Sequence, residues 1–285
     1  MALRRIFLMI TMLTLASLAC LVSDVKDAVD TVSKAVELLQ EIDESGTWTY
    51  IGDGLDGIDK ANGFAGTIEI IEGATNDTGD TITGVETSIR WSIQTDADDD
   101  AAITVIRNDE RRDFVVINRG ENNVDTYRVT GEGNYECLQS GQTEDDLFAT
   151  GLDEAFAQYS ALAVGVQAIS VAEEDGKETI NNFSTTRYKL VSKLQEALDI
   201  LSEFPSDELR QEIADVPEFY INGSLNIDDA TKALVGFNAA YADLEKKEGN
   251  TFAFEVTELG NQPDISIDES RITVACLAPV STPAQ

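Results

Sequence analysis

Apolar and polar residues alternate with a period of two along most of this chain. The clearest stretch runs from Tyr220 to Ile267, where Ile221, Gly223, Leu225 and Ile227 are separated by polar or small residues. Beyond an Asp228–Lys232 turn the pattern resumes with Val235, Phe237, Ala239 and Tyr241. Beyond a Lys246–Asn250 turn it continues with Phe252, Phe254 and Val256. A period of two predicts an antiparallel meander of three strands with one face packed and the other wet. The Asp, Lys, Gly and Asn residues between the strands suit tight reversals. Something apolar must therefore lie across one face.

The same period governs Trp48 to Leu138. Val85, Thr87, Ile89, Trp91 and Ile93 alternate with Glu86, Ser88, Arg90, Ser92 and Gln94, and 65–71, 102–107, 114–119 and 124–130 supply further strands. Five or six strands with no helix between them point to an antiparallel sheet. Ile51-Gly52-Asp53-Gly54-Leu55-Asp56-Gly57 is glycine-rich but lacks the lysine of a phosphate loop, and reads as a loop. The acidic run Asp96–Asp100 suggests a calcium loop at first sight. Read as an EF-hand it has Ala101 where glycine belongs and Arg107 where glutamate belongs, so a solvated hairpin loop is the expectation.

Helical spacing occurs in three places. In 24–44, Val25, Val29, Val32, Val36, Leu39 and Ile42 recur at three- and four-residue steps, with Ser23 as N-cap. Residues 143–171 carry Leu147, Phe148, Leu152, Ala155, Phe156 and Tyr159 on one face. After a strand or strand pair at 178–190, the capping-box pattern Ser192-Lys193-Leu194-Gln195 opens a further helix. Pro205 breaks it, Ser206 caps a second short helix, and Pro217 ends the segment.

Charge and the missing residue types narrow the function. With 20 Lys+Arg against 53 Asp+Glu the formal net charge is −33, which argues against a nucleic-acid partner. There is no histidine, which removes Ser-His-Asp and Cys-His catalysis and His-ligated metals. Only carboxylate chemistry would remain to an enzyme, and no pair of the 53 stands out. No catalytic residue, metal ligand or cofactor is assigned, and a non-enzyme is expected.

The N-terminus carries the most specific signal. Met1–Arg5 is short and basic, and the 14 residues Ile6–Ala19 are mostly apolar, too few to span about 30 Å of hydrocarbon. Residues 1–19 therefore read as a signal peptide. Ala19-Cys20 resembles a bacterial lipobox, with Ser17 where leucine is usual, which makes Cys20 the expected lipidation site. Ordinary cleavage after Ser17-Leu18-Ala19 is the alternative, giving a secreted protein. Of three cysteines, Cys137 and Cys276 remain as a pair beside strand ends, and a disulfide between them is expected in an oxidising compartment.

Three segments carry a family resemblance: Glu178-Thr179-Ile180-Asn181-Asn182-Phe183 through Thr186-Arg187-Tyr188, then Asn222–Asp228 with its acidic turn, then Phe254–Ile265. Together they resemble the LolA/LolB/LppX-like bacterial lipoprotein carrier domains. The match is best over 178–268 and holds by order of elements over 24–138. Arg187 stands where relatives commonly have histidine, and 192–214 is longer than usual. The resemblance implies an α+β fold, a curved antiparallel sheet forming an open half-barrel with helices packed on its concave face. Residues 20–46 would form the lipidated N-terminus and first helix, 47–276 the half-barrel and 277–285 a flexible tail, with the helices of 143–214 covering the hollow. It further implies a membrane-anchored protein of the cell envelope that binds or transfers a lipid, or the acyl chain of a lipoprotein, in an apolar cavity. Trp91, Phe114, Phe237 and Phe252 are candidate liners, with ordinary core packing as their alternative role. A structural or adhesive surface lipoprotein with a self-filled hollow is the competing reading.

Overall fold

The alternating stretches become twelve strands. The computed structural model describes residues 25–120, 124–138, 170–203, 211 and 218–276. In chain order these hold α1 (Val25–Glu44), α2 (Thr47–Asp59), β1 (Phe64–Thr75), β2 (Ile82–Thr95), β3 (Ala101–Arg107), β4 (Glu110–Asn118), β5 (Val124–Val129) and β6 (Tyr135–Cys137). There follow β7 (Ser170–Ile180), β8 (Phe183–Ser192), α3 (Leu194–Ser202), β9 (Phe219–Asp228), β10 (Leu234–Asp243), β11 (Glu248–Leu259) and β12 (Ile272–Val274).

All twelve strands form one open sheet in the order β12-β6-β5-β4-β3-β2-β1-β11-β10-β9-β8-β7. Two meanders, β1–β6 and β7–β11, are joined where β1 pairs with β11, and every pairing is antiparallel except the short β12–β6 contact. Register carries one row of side chains across eight strands: Tyr188, Leu225, Phe237, Phe254, Ile68, Trp91, Val105 and Arg112. Since side chains alternate faces, this row and its neighbours two residues away share one face. That face holds the main core.

The sheet is strongly curved. Asn181, in the β7–β8 turn, donates its amide to Glu255 Oε1 at 2.7 Å and to the Val256 carbonyl at 3.1 Å. In a flat sheet β8 and β11, three strands apart, would lie about 14 Å from each other. Closing that gap requires the second meander to roll toward the core face, which makes an α+β half-barrel.

The helix inside the hollow is α2. Its sequence, TWTYIGDGLDGID, is the glycine-rich stretch expected to be a loop, so that expectation is corrected. The reason is contact. A Cβ on Gly54 would sit 2.7 Å from Leu234 Cβ, and one on Gly57 2.8 Å from Ala233 Cα. Glycines at these two positions let the helix backbone rest on the start of β10, while Gly52 faces open space. Tyr50, Ile51 and Ile58 then enter the core.

α1, α3 and the start of β7 form a second small cluster of Leu38, Ile42, Val171 and Ile200. The buried stripe of α1 includes Thr31, Leu38 and Ile42, whereas Val36 of the expected stripe is 41% exposed. Ile42 of the expected stripe is thus buried and Leu39 half-buried, while Leu38 takes the core place expected of Val36. Opening α3, Ser192 accepts from the Leu194 amide at 3.2 Å, but Gln195 bonds Asp199 rather than completing a capping box. Ser23, Ser206 and the segment at 143–169 lie outside the described residues, as does Cys20.

On the opposite face of the sheet the chain after β11 acts as a strap. Ile265, Ile267 and Ile272 pack against Val115, Ile117 and Tyr127. The strap ends in the Cys137–Cys276 disulfide, Cα–Cα 5.1 Å, so the expected bridge is present. Asp96 pins its middle. This carboxylate is 3% exposed, accepts from the amides of Asp98 and Asp100 through Oδ1, and from the Ile265 amide at 2.6 Å through Oδ2. The acidic run does form a hairpin loop, but its first residue is a buried hydrogen-bond hub rather than a solvated side chain.

The two glycine environments make opposite predictions. Gly57→Ala should lower unfolding stability by about 1–3 kcal/mol, because its methyl meets backbone that must move. Gly52→Ala should leave stability unchanged or raise it by up to about 1 kcal/mol through helix propensity. Urea denaturation midpoints of the two variants check this directly.

Candidate functional hollow

The core face of the half-barrel brings all four candidate aromatics into one apolar cluster. Trp91 and Phe114 are each 2% exposed, Phe237 4% and Phe252 9%. Phe237 and Phe252 lie on neighbouring strands with ring centroids 5.8 Å apart and tilted by 55°. Trp91 stands two strands away from Phe254, opposite Ile68 on one side and Val105 on the other. Phe114 is opposite Ile103 and Arg128. Such rings contribute by burial and by tilted contacts worth about 0.5–1.5 kcal/mol beyond area.

The hollow has two unequal halves. α2 lies chiefly against β10 and touches β7. Its Tyr50 ring stacks on Tyr188 of β8 with centroids 4.2 Å apart. The other half is floored by β1–β4, with Ile68, Trp91, Val105 and Phe114 in its centre. Register irregularities interrupt the alternation at several places, among them Leu234/Gly236, where Val235 is an extra residue in β10.

Polar groups in the hollow are few. Burial, followed by the hydrogen bond with Tyr50, pushes the Tyr188 phenol up to about 12. Trp91 Nε1 is buried and finds no hydrogen-bond acceptor among the described residues. At the rim Arg128 pairs with Glu136 at 2.7 Å and Arg112 with Glu110 at 2.8 Å. Outside the hollow Arg187 lies near Asp175 and Glu178 at 3.7 and 3.9 Å.

Three open cavities of about 550, 520 and 500 Å³ lie on the described surface: between α3 and the start of β9, between α2 and the β9–β10 turn, and over β1–β4. Phe114 helps wall the third, whereas Trp91, Phe237 and Phe252 wall none of the three. Among the described residues there is no group of three or more His, Cys, Asp or Glu placed to hold a metal, and no helix is long and apolar enough to cross a membrane. The described side chains of the hollow are apolar and buried, with Trp91 Nε1 an unpartnered donor among them. Sequence reading found the aromatics but missed α2, Tyr50 and the unpaired indole. The spacing of Tyr50, Ile51 and Ile58 was the available signal for α2, and the glycines masked it.

No family model matches the sequence, and no curated protein matches it. Among solved structures the chain is similar to the lipoprotein LppX of Mycobacterium tuberculosis, at 12% identity over 78% of this chain and 98% of that one, with a TM-score of 0.39. It is also similar to LprF from Mycobacterium bovis, at 11% identity over 78% of this chain and 96% of that one, with a TM-score of 0.37. A domain described as a putative outer membrane lipoprotein-sorting protein from Vibrio parahaemolyticus matches at 10% identity over 77% and 96%, with a TM-score of 0.21.

The shifted phenol gives a testable pH dependence. Its folded pKa lies above the usual value near 10, so its stabilising preference for the folded state is intact below pH ~10 and is lost as pH rises toward ~12. Tyr188→Phe should remove a late-ionising phenol from an ultraviolet titration, and should make the loss of stability above pH ~10 shallower in alkaline melts.

Proposed function

We propose that this chain is a non-catalytic extracytoplasmic lipoprotein, anchored through an acylated Cys20, whose half-barrel binds or hands on the acyl part of a lipid. The observation that carries the reading is the extent of the apolar face. It runs unbroken from β8 to β4, and the described helix in the hollow packs chiefly against β10. A lipid crossing water needs its tails covered, at about 0.8 kcal/mol per methylene, and an open curved sheet supplies that cover without closing around the ligand. The Cys137–Cys276 bridge supports an oxidising compartment, and Ala19-Cys20 after an apolar leader supports export and lipidation.

A second reading has an observation of its own. The four aromatics are at most 9% exposed and pack into one cluster, which suits a surface lipoprotein whose hollow is filled by its own side chains.

Native mass spectrometry of the full chain, extracted gently from the membranes of cells that make it, separates the two. A lipid released at higher collision energy is the expected result, and a bare polypeptide under the same conditions would overturn the carrier reading. Fractionation tests the anchor separately: Cys20→Ala should move the protein from the membrane to the soluble fraction.

A further inference from the structure

The cavity between α3 and β9 exists because two neighbouring strands end at different places. β8 pairs with β9 only from Thr185 and Asp228 to Leu190 and Gly223, whereas β9 reaches back to Phe219 and stays paired with β10 as far as Asp243. Two residues past Leu190 β8 ends, and Ser192 accepts from the Leu194 amide at 3.2 Å to open α3. The start of β9 is left without a strand on that side, and a cleft of about 550 Å³ separates it from α3. Leu194 and Leu198, one turn apart on α3, line one wall. Phe219 and Ile221 line the other, and all four are half-buried. Ile200 of the same helix packs instead with Leu38 and Ile42.

In a chain with 53 carboxylates, acidic residues alone single out nothing. The cleft is set apart by lacking a counter-charge: Asp199, Glu218 and Glu245 line it, with no lysine or arginine. Among the described residues none of these three carboxylates pairs with a cation. The two lysines beside the lining in sequence are engaged elsewhere, Lys193 with Glu41 at 2.8 Å and Glu196 at 3.3 Å, and Lys246 with Asp243 at 2.9 Å. Asp199 and Ser202 also stand at the carbonyl end of α3, which carries partial negative charge and no basic residue in its last turn. By contrast, the second cavity mixes Asp53 and Asp56 with Lys60 and Lys232, and Asp113 in the third is bound to Arg111.

We propose that this cleft seats a cationic amphiphile, a refinement that rests on the lipid-binding reading. One hydrocarbon tail lies between the two leucines of α3 and Phe219 and Ile221, and an ammonium head sits at Asp199, Glu218 and Glu245. A methylene fills about as much room as one liquid water, roughly 30 Å³, so a single tail of about twelve carbons fits and a second does not. Burial of the tail supplies the affinity. The exposed carboxylates supply the choice of head, because such pairs are individually weak and screened by salt. An anionic head would meet three like charges with nothing to offset them.

The test uses dodecyltrimethylammonium and dodecyl sulfate, each with a diazirine in mid-chain, added to membranes that hold the full chain. After photolysis, labelled peptides are mapped by mass spectrometry and normalised to the probe taken up. The cationic probe should label residues 192–202 and 218–221 about fivefold more than the sulfate, and the excess should shrink as salt is raised. Glu218→Gln with Glu245→Gln, two exposed and nearly isosteric changes, should bring the ratio below about twofold. Leu198→Trp, which fills the cleft, should remove labelling there by both probes. Equal labelling of the wild-type protein, or a preference that survives the double variant, would overturn the cationic assignment. Labelling of β1–β4 peptides with none at 192–202 or 218–221 would overturn the cleft and leave the carrier reading standing. No labelling anywhere in the half-barrel would overturn both.

Discussion

The close seat of α2 on the start of β10 is the contact on which the rest of the molecule depends. A curved sheet this wide leaves one face needing cover, and a helix can fill the hollow only if it comes near enough to exclude water. Gly54 and Gly57 remove the two β-carbons that would hold it away from Ala233 and Leu234. The gain is packing, since interiors at crystal-like density lose contacts steeply across gaps of under an ångström. Asn181 reinforces the arrangement from the opposite side by drawing the β7–β8 turn onto β11. Helix seat and rolled sheet determine each other.

The two faces are held by different means. On the core face the second meander and α2 form one continuous apolar layer. On the outer face of β4–β6 a smaller apolar patch is covered by the strap, whose fixing points include the Gly63 carbonyl accepting from Gly260, the Asp96 carboxylate accepting from Ile265, and the disulfide to Cys137. Each fixing point joins segments far apart in sequence, 139 residues in the case of the disulfide. Long-range closures of this kind restrict the unfolded chain most.

Period-two alternation made most strands legible in the sequence, from Val85–Ile93 in β2 to Phe252–Val256 in β11, because one side of each strand is buried and the pattern reports that directly. The cysteine pair was legible from its count and its place beside strand ends. α2 was not, because glycine has the same local signature whether it frees a loop or permits a close approach; the deciding neighbour, Ala233–Leu234, lies far along the chain. One position on the face of α1, Val36, was misplaced for a related reason. Ile42 of its expected stripe does pack against Val171 and Ile200, but Leu38 joins it there in place of the exposed Val36. Asp96 looked like one member of a solvated run, and only the strap reveals its buried role. The pairing of Arg107 with Ile89 was equally hidden, since it depends on hairpin register rather than on composition.

An open sheet of twelve strands has two free edges, and each is an invitation to pair with another molecule. Here neither edge is a good template. At one side β12 is three residues long and fastened by the disulfide that follows it. At the other, β7 loses register with β8 between Glu174 and Lys177, where Gly176 has φ +100°. The exposed residues around that break are Glu173, Glu174, Asp175, Lys177 and Glu178. A second copy approaching this edge would meet its own negative charge and a kinked backbone. The acidity that says little about what the protein binds therefore has a concrete meaning at this strand: it makes the edge of an unclosed barrel a poor template for a second copy.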